Sequence, residues 1–151
     1  MSQSAIGTKM ITQIGILVHD IEAVSEAYAN FFGVEKPGWN WTDTPDKAQT
    51  EFQGEPSQAR AKLAFFDMDS LQLELIEPDL HPSTWRNYLE EHGEGPHHIA
   101  FVIEGMKEKI AIMESKGMKL QQKGEYTGGR YAYFDSVPQL KVLIELLEND
   151  K

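Results

Sequence analysis

The chain has 151 residues, 14 of them basic and 24 acidic for a formal net charge of −10, and it has no cysteine. Such a length fits one domain with a core of its own, and the acidic balance argues against nucleic acid, anionic membrane or a polyanionic substrate as partner. Without cysteine there are no disulfides, no thiolate catalysis and no cysteine-type zinc site.

Met1-Ser2-Gln3-Ser4 carries no basic segment leading into an apolar run, and no apolar stretch approaches spanning length. The expectation is a soluble, cytoplasmic protein. Met10 to Val18 reads as the first strand, with Gln13, Gly15 and Leu17 on one face. Asp20 can cap a helix in which Ile21, Val24, Tyr28, Phe31 and Phe32 recur at helical spacing, and Gly33 can end it as a left-handed cap. Val34 to Thr42 is expected to be a strand, followed by a Pro-, Asp- and Gln-rich loop to about Gln58. Ala59–Asp67 and Leu71–Ile76 are two more strands. Ser83 can cap a short helix through His92 that buries Trp85 and Leu89 and stops at Gly93. Gly95 to Ile103, G-P-H-H-I-A-F-V-I, is a strand. Gly105 opens a helix with Met106, Ile110 and Met113 on one face, and Gly117 closes it. Lys119–Lys123, Arg130–Phe134 and Lys141–Leu147 supply the last strands.

The order strand-helix-strand-strand-strand is thus used twice. Q-I-G-I-L-V, from Gln13, has the shape of H-I-A-F-V-I, from His98. Twenty positions separate Gln13 from Gly33, and 19 separate His98 from Gly117. Module one covers about 10–79, a linker helix about 83–92 and module two about 96–147, within a single domain over 1–151. Each sheet has one face under its helix and the other facing a cleft.

Glu74 and Glu145 stand mid-strand among apolar neighbours, where an unpaired carboxylate is costly. A cation in the cleft would offset that cost. Duplication symmetry lets Gln13, Glu74, His98 and Glu145 converge on one point. An imidazole, two carboxylates and an amide oxygen suit a divalent zinc, nickel, cobalt or manganese ion with positions open to substrate. Such an ion polarises a carbonyl while Glu145 or Glu74 removes the proton alpha to it, and passage through an enediolate gives isomerisation or epimerisation. Arg130 and Tyr133 are candidate substrate contacts. His97 is taken as a neighbour of the ligand, and His19, His81 and His92 as surface residues.

The repeat, its two first strands and the endings L-E-L-I-E-P and V-L-I-E-L resemble the vicinal oxygen chelate superfamily, over about Met10 to Leu147. The chain looks most like the glyoxalase I and methylmalonyl-CoA epimerase branch. The resemblance implies an α+β fold of two βαβββ modules in a curved, open mixed sheet, the glyoxalase/bleomycin resistance/dioxygenase fold. It also implies a homodimer, a small-molecule substrate, and a divalent metal on Gln13, Glu74, His98 and Glu145. Epimerases usually have histidine at the first ligand position, and Gln13 there resembles the zinc-type glyoxalases instead. Epimerases also place a second glutamate before the third strand, where this chain has Ser57-Gln58-Ala59 with Glu55 a position or two off. Their final loop often reads H-P-K, against Asp135-Ser136-Val137 here. The implied activity is that of a metal-dependent isomerase, epimerase or lyase. Lactoylglutathione formation and non-catalytic antibiotic binding are the alternatives.

Overall fold

The computed structural model describes residues 4–151. In chain order the elements are β1 (Gln13–Leu17), α1 (Ile21–Phe32), β2 (Asn40–Trp41), α2 (Pro45–Ala48), β3 (Glu51–Phe52), β4 (Glu55–Pro56), β5 (Ala61–Asp67) and β6 (Gln72–Pro78). They continue with α3 (Thr84–His92), β7 (Gly95–Val102), α4 (Met106–Ser115), β8 (Lys119–Tyr126), β9 (Gly129–Asp135), α5 (Val137–Leu140) and β10 (Leu143–Asn149). The strands form one curled, open, mixed sheet in the order β2-β5-β6-β1-β7-β10-β9-β8-β3-β4. Its centre is symmetric: β1 pairs in parallel with β6, β7 in parallel with β10, and β1 meets β7 antiparallel. Among the described residues no helix is long and apolar enough to cross a membrane.

Each helix covers its own half of the sheet. Ile21 and Ala29 of α1 pack on Ala64, Phe66, Leu73 and Leu75, while Met106 and Met113 of α4 pack on Ala132, Phe134, Ile144 and Leu146. A third cluster joins Leu17, Ala61, Ile76 and Tyr133 to Trp85 and Leu89 of α3. The linker helix therefore seats on the concave side.

The two covering helices start on the same device. Asp20 accepts from Ala23 N at 3.2 Å, and Glu77 of β6 accepts from Ile21 N at 2.9 Å. Gly105 offers no side chain, and Glu148 of β10 takes the role, accepting from Gly105 N at 2.7 Å and Met106 N at 3.3 Å. A carboxylate there neutralises free N–H groups at the positive end of the helix. Glu77 follows Glu74 by three residues and Glu148 follows Glu145 by three. Odd spacing in a strand sends the two carboxylates of each pair to opposite faces, one to the helix and one to the cleft.

Two stretches differ from expectation. Of Val34–Thr42 only Asn40 and Trp41 form a strand, paired with Leu63 and Lys62. Pro37 has no N–H to give a ladder and Gly38 follows it. The segment expected as a loop, 43–58, contains α2 and a hairpin. Gln53 and Gly54 both have positive φ, 53° and 82°, as a tight two-residue turn between β3 and β4 requires. β3 then pairs with β8, Glu51 with Lys123 and Phe52 with Gln122, so an insertion in the first half extends the sheet of the second.

Replacing the helix cap, Asp20→Ala, is expected to cost about 0.5–2 kcal/mol. Thermal unfolding followed by circular dichroism should show a midpoint lower by about 2–4 °C per kcal/mol.

Candidate active site

Register places the four candidate ligands around two small residues. Gly15 of β1 lies between Glu74 of β6 and His98 of β7, and Ala100 of β7 lies between Gln13 of β1 and Glu145 of β10. The need for a small residue is steric. A Cβ on Gly15 would stand 2.0 Å from His98 Cε1 and 2.4 Å from its Nδ1, so the imidazole occupies the space a side chain would fill.

The four side chains meet at one nitrogen. His98 Nε2 is 2.8 Å from Gln13 Oε1, 3.1 Å from Glu145 Oε1 and 3.5 Å from Glu74 Oε1. Gln13 is oriented by its own amide nitrogen, which donates to Gln72 Oε1 at 2.7 Å and leaves its oxygen facing His98. All four residues are buried, and Glu74 Oε1 and Glu145 Oε1 accept no hydrogen bond. Burial pushes Glu74 well above the usual carboxylate value of 4.5, and the Glu145 charge raises it further. Burial likewise pushes Glu145 up to about 8, partly offset by the Tyr133 hydroxyl. The His98 imidazole is driven from 6.5 to about 3, again by burial, so its contacts with the carboxylates are not ion pairs at neutral pH.

Three oxygens and an imidazole nitrogen thus face one another around a single small volume. One shared hydrogen cannot serve them all, whereas a divalent cation can. The donor chemistry, borderline nitrogen with hard oxygens, fits such an ion, and the two orphaned carboxylate oxygens are the positions that would gain most from it. As they stand, the side chains touch one another, and no group of three or more His, Asp and Glu among the described residues is spread to hold an ion. Admitting one requires the carboxylates to move off the ring nitrogen.

Above this cluster lies a cavity of about 450 Å³. Gln13, Gln72, Glu74 and Glu145 form part of its lining, and Trp41, Phe65, Tyr131 and Tyr133 give it aromatic walls. Phe65 pairs across the sheet with Glu74 and Tyr133 with Glu145, so each carboxylate has an aromatic ring beside it. None of the lining residues is a lysine or arginine. Tyr133 accepts from Trp85 Nε1 at 3.1 Å, which ties the wall to α3.

Arg130 does not line this cavity. It stands three residues from Tyr133 in β9 and so on the opposite face, where it binds Glu148 at 3.0 Å and lies near Glu125 at 3.7 Å. Its role there is to brace the carboxylate that starts α4. Glu55, exposed in β4, is absent from the cavity lining as well. Two further residues belong to the cluster: Gln72, which the sequence reading passed over, and His97, which it took as a neighbour of the ligand. Gln72, two positions before Glu74 on the same strand face, was readable from that spacing. His97 stands beside His98 as expected, although simple alternation sends it to the other face: its Nδ1 lies 2.9 Å from His98 Nδ1.

Two outcomes are expected. Gly15→Ala overpacks the site at a cost of about 1–3 kcal/mol, measured by thermal unfolding. The pH dependence of stability follows from the carboxylates and the imidazole together. The raised carboxylates stabilise the fold fully below about pH 4.5, and the Glu145 contribution is lost as pH rises through about 8. The lowered imidazole contributes above 6.5 and loses its contribution as pH falls towards 3. A cation that binds both carboxylates in their charged form reverses the alkaline loss. Added manganese or cobalt should therefore raise the unfolding midpoint more at about pH 8 than at about pH 5.5.

Comparison with known proteins places this geometry in a family. Residues 12–134 match the model of the glyoxalase/bleomycin resistance protein/dioxygenase superfamily. The uncharacterized protein YqjC of Bacillus subtilis (strain 168) is 27% identical over 141 residues, 91% of each chain. A variant of Streptomyces coelicolor methylmalonyl-CoA epimerase, solved with 2-nitronate-propionyl-CoA, is 23% identical and superposes with a TM-score of 0.63 over 95% of this chain and 99% of its own. Methylmalonyl-CoA epimerase from Mycobacterium tuberculosis gives 19% identity and a TM-score of 0.63 over 100% of this chain and 93% of its own. At these identities the solved structures establish the fold, and with the family match they show that the chain belongs to the glyoxalase/bleomycin resistance protein/dioxygenase superfamily.

Proposed function

We propose that the chain is a metal-dependent isomerase, epimerase or lyase that moves a proton alpha to a carbonyl, with Gln13, Glu74, His98 and Glu145 holding a divalent zinc, nickel, cobalt or manganese ion. The observation that carries this reading is the pair of buried, unpartnered carboxylate oxygens beside the His98 nitrogen. When bound, the ion would polarise the substrate carbonyl. Glu145, which lines the cavity beside the His98 nitrogen, is suited to accept the alpha proton as a carboxylate and to return it as a carboxylic acid. Glu74 is the second candidate for that role. Trp41, Phe65, Tyr131 and Tyr133 would exclude water and orient an apolar body over the carboxylates.

The cavity bears on the choice among substrates. The epimerase from Streptomyces coelicolor is solved with a CoA ester. A CoA ester carries several negative charges and a glutathione adduct two carboxylates, and no cationic side chain lines this cavity to receive them. The reading therefore favours a small carbonyl compound that reaches the site by its apolar part. A homodimer belongs to the same proposal.

Metal-loaded protein incubated in heavy water with 2-oxo and 2-hydroxyacyl compounds should exchange the alpha hydrogen for deuterium, seen by proton NMR. Glu145→Gln is expected to slow exchange by about 10²–10⁴-fold. Undiminished exchange in that variant, with Glu74→Gln equally active, would remove both carboxylates from the chemistry. Turnover of the methylglyoxal–glutathione hemithioacetal to lactoylglutathione would move the assignment to the glyoxalase alternative.

A further inference from the structure

β1 and β7 shift register between Gly15 and Ile16: Gly15 pairs with His98, but Ile16 pairs with Pro96. His97 is therefore the extra residue of a β-bulge, and a bulge re-aims side chains that alternation would separate. Both imidazoles end up buried and adjoining, nearly perpendicular, with centroids 5.2 Å apart. β8 repeats the device. Leu120 pairs with Phe134 and Gln122 with Tyr133, so Gln121 is the extra residue. Gln121 and Gln122 both reach Thr84, the first residue of α3. The Thr84 hydroxyl donates to Gln121 Oε1 at 2.8 Å, and its backbone N–H donates to Gln122 Oε1 at 2.9 Å.

A chain of contacts results. His98 Nδ1 lies 2.9 Å from His97 Nδ1, and His97 Nε2 lies 3.3 Å from Thr84 Oγ1, which gives its own hydrogen to Gln121. Two ring nitrogens 2.9 Å apart share one hydrogen. If His98 holds it, its Nε2 presents a free lone pair to the cleft, His97 carries its hydrogen on Nε2, and Thr84 Oγ1 accepts it. Every hydrogen in that direction has a receiver. In the reverse direction His97 donates to His98, whose Nε2 hydrogen then goes to Gln13 Oε1 at 2.8 Å, while His97 Nε2 competes with Gln121 for the single Thr84 hydrogen. A cation in place of that Nε2 hydrogen leaves only the first direction.

We infer that His97 is a positioning residue for the metal site: with Thr84 and Gln121 it accepts the Nδ1 hydrogen of His98 and so turns the Nε2 lone pair to the cation. The inference rests on the metal-dependent reading above and adds to it the group that selects the ligand's tautomer.

The test is zinc binding measured by calorimetry, alongside long-range proton–nitrogen NMR of the histidine rings. In the zinc-loaded wild-type chain, the hydrogen should be found on His98 Nδ1 and on His97 Nε2. His97→Leu should weaken zinc by about 10–100-fold, while His97→Asn, whose Oδ1 can stand where Nδ1 stood, should restore most of it. Thr84→Val should weaken zinc in the same sense and Thr84→Ser should not, which keeps the test decisive if His97→Leu fails to fold. Zinc held as tightly by His97→Leu or Thr84→Val as by the wild type, or a hydrogen found on His97 Nδ1, overturns the inference and leaves the metal reading standing. A wild-type chain that binds neither zinc nor cobalt overturns both.

Discussion

Two carboxylates and an imidazole share one small volume on the concave face of the sheet, and no lysine or arginine lines the cavity to balance them. Burying even one such charge without a partner costs several kcal/mol. The strain shows in how far the carboxylates are pushed up and the imidazole down. Much of the surrounding structure can be understood as holding these groups together in spite of that cost. Gly15 is bare so that the ring can lie across it, Ala100 stands between Gln13 and Glu145, and Gln72 turns the Gln13 amide oxygen inward.

The scaffold that enforces this is largely remote from it. α1 and α4 press on the far face of β5, β6, β9 and β10, and their first turns are fixed by Glu77 and Glu148 from the very strands that carry Glu74 and Glu145. The same strand thus anchors a helix on one side and presents a carboxylate on the other. α3 seats Trp85 and Leu89 against Leu17, Ile76 and Tyr133, so the floor of the cavity is packed rather than open.

Periodicity and spacing made the architecture legible. The duplicated order of elements, the glycine at the end of α1 and the strand positions of Gln13, Glu74, His98 and Glu145 all follow from alternation with a period of two or 3.6. What escaped has a common cause. Bulges at His97 and Gln121 break the period-two rule, and nothing in a single sequence marks where an extra residue will be accommodated. The hairpin of β3 and β4 escaped because its partner, β8, lies about 70 residues downstream in the other half, and cross-sheet pairing leaves no local trace. Pairing Arg130 with Tyr133 at one site ignored their odd separation, which alone puts them on opposite faces.

Each half of the chain contributes two of the four candidate donors, Gln13 and Glu74 from one and His98 and Glu145 from the other, across the antiparallel β1–β7 seam. Neither half alone offers more than two, too few to enclose an ion. A half-length chain could therefore complete such a set only by pairing with a second copy across that seam. In the single chain the two sides need not be equivalent, and they are not. The bulged histidine pair stands on one side of the seam, with a lone glutamine opposite it on the other.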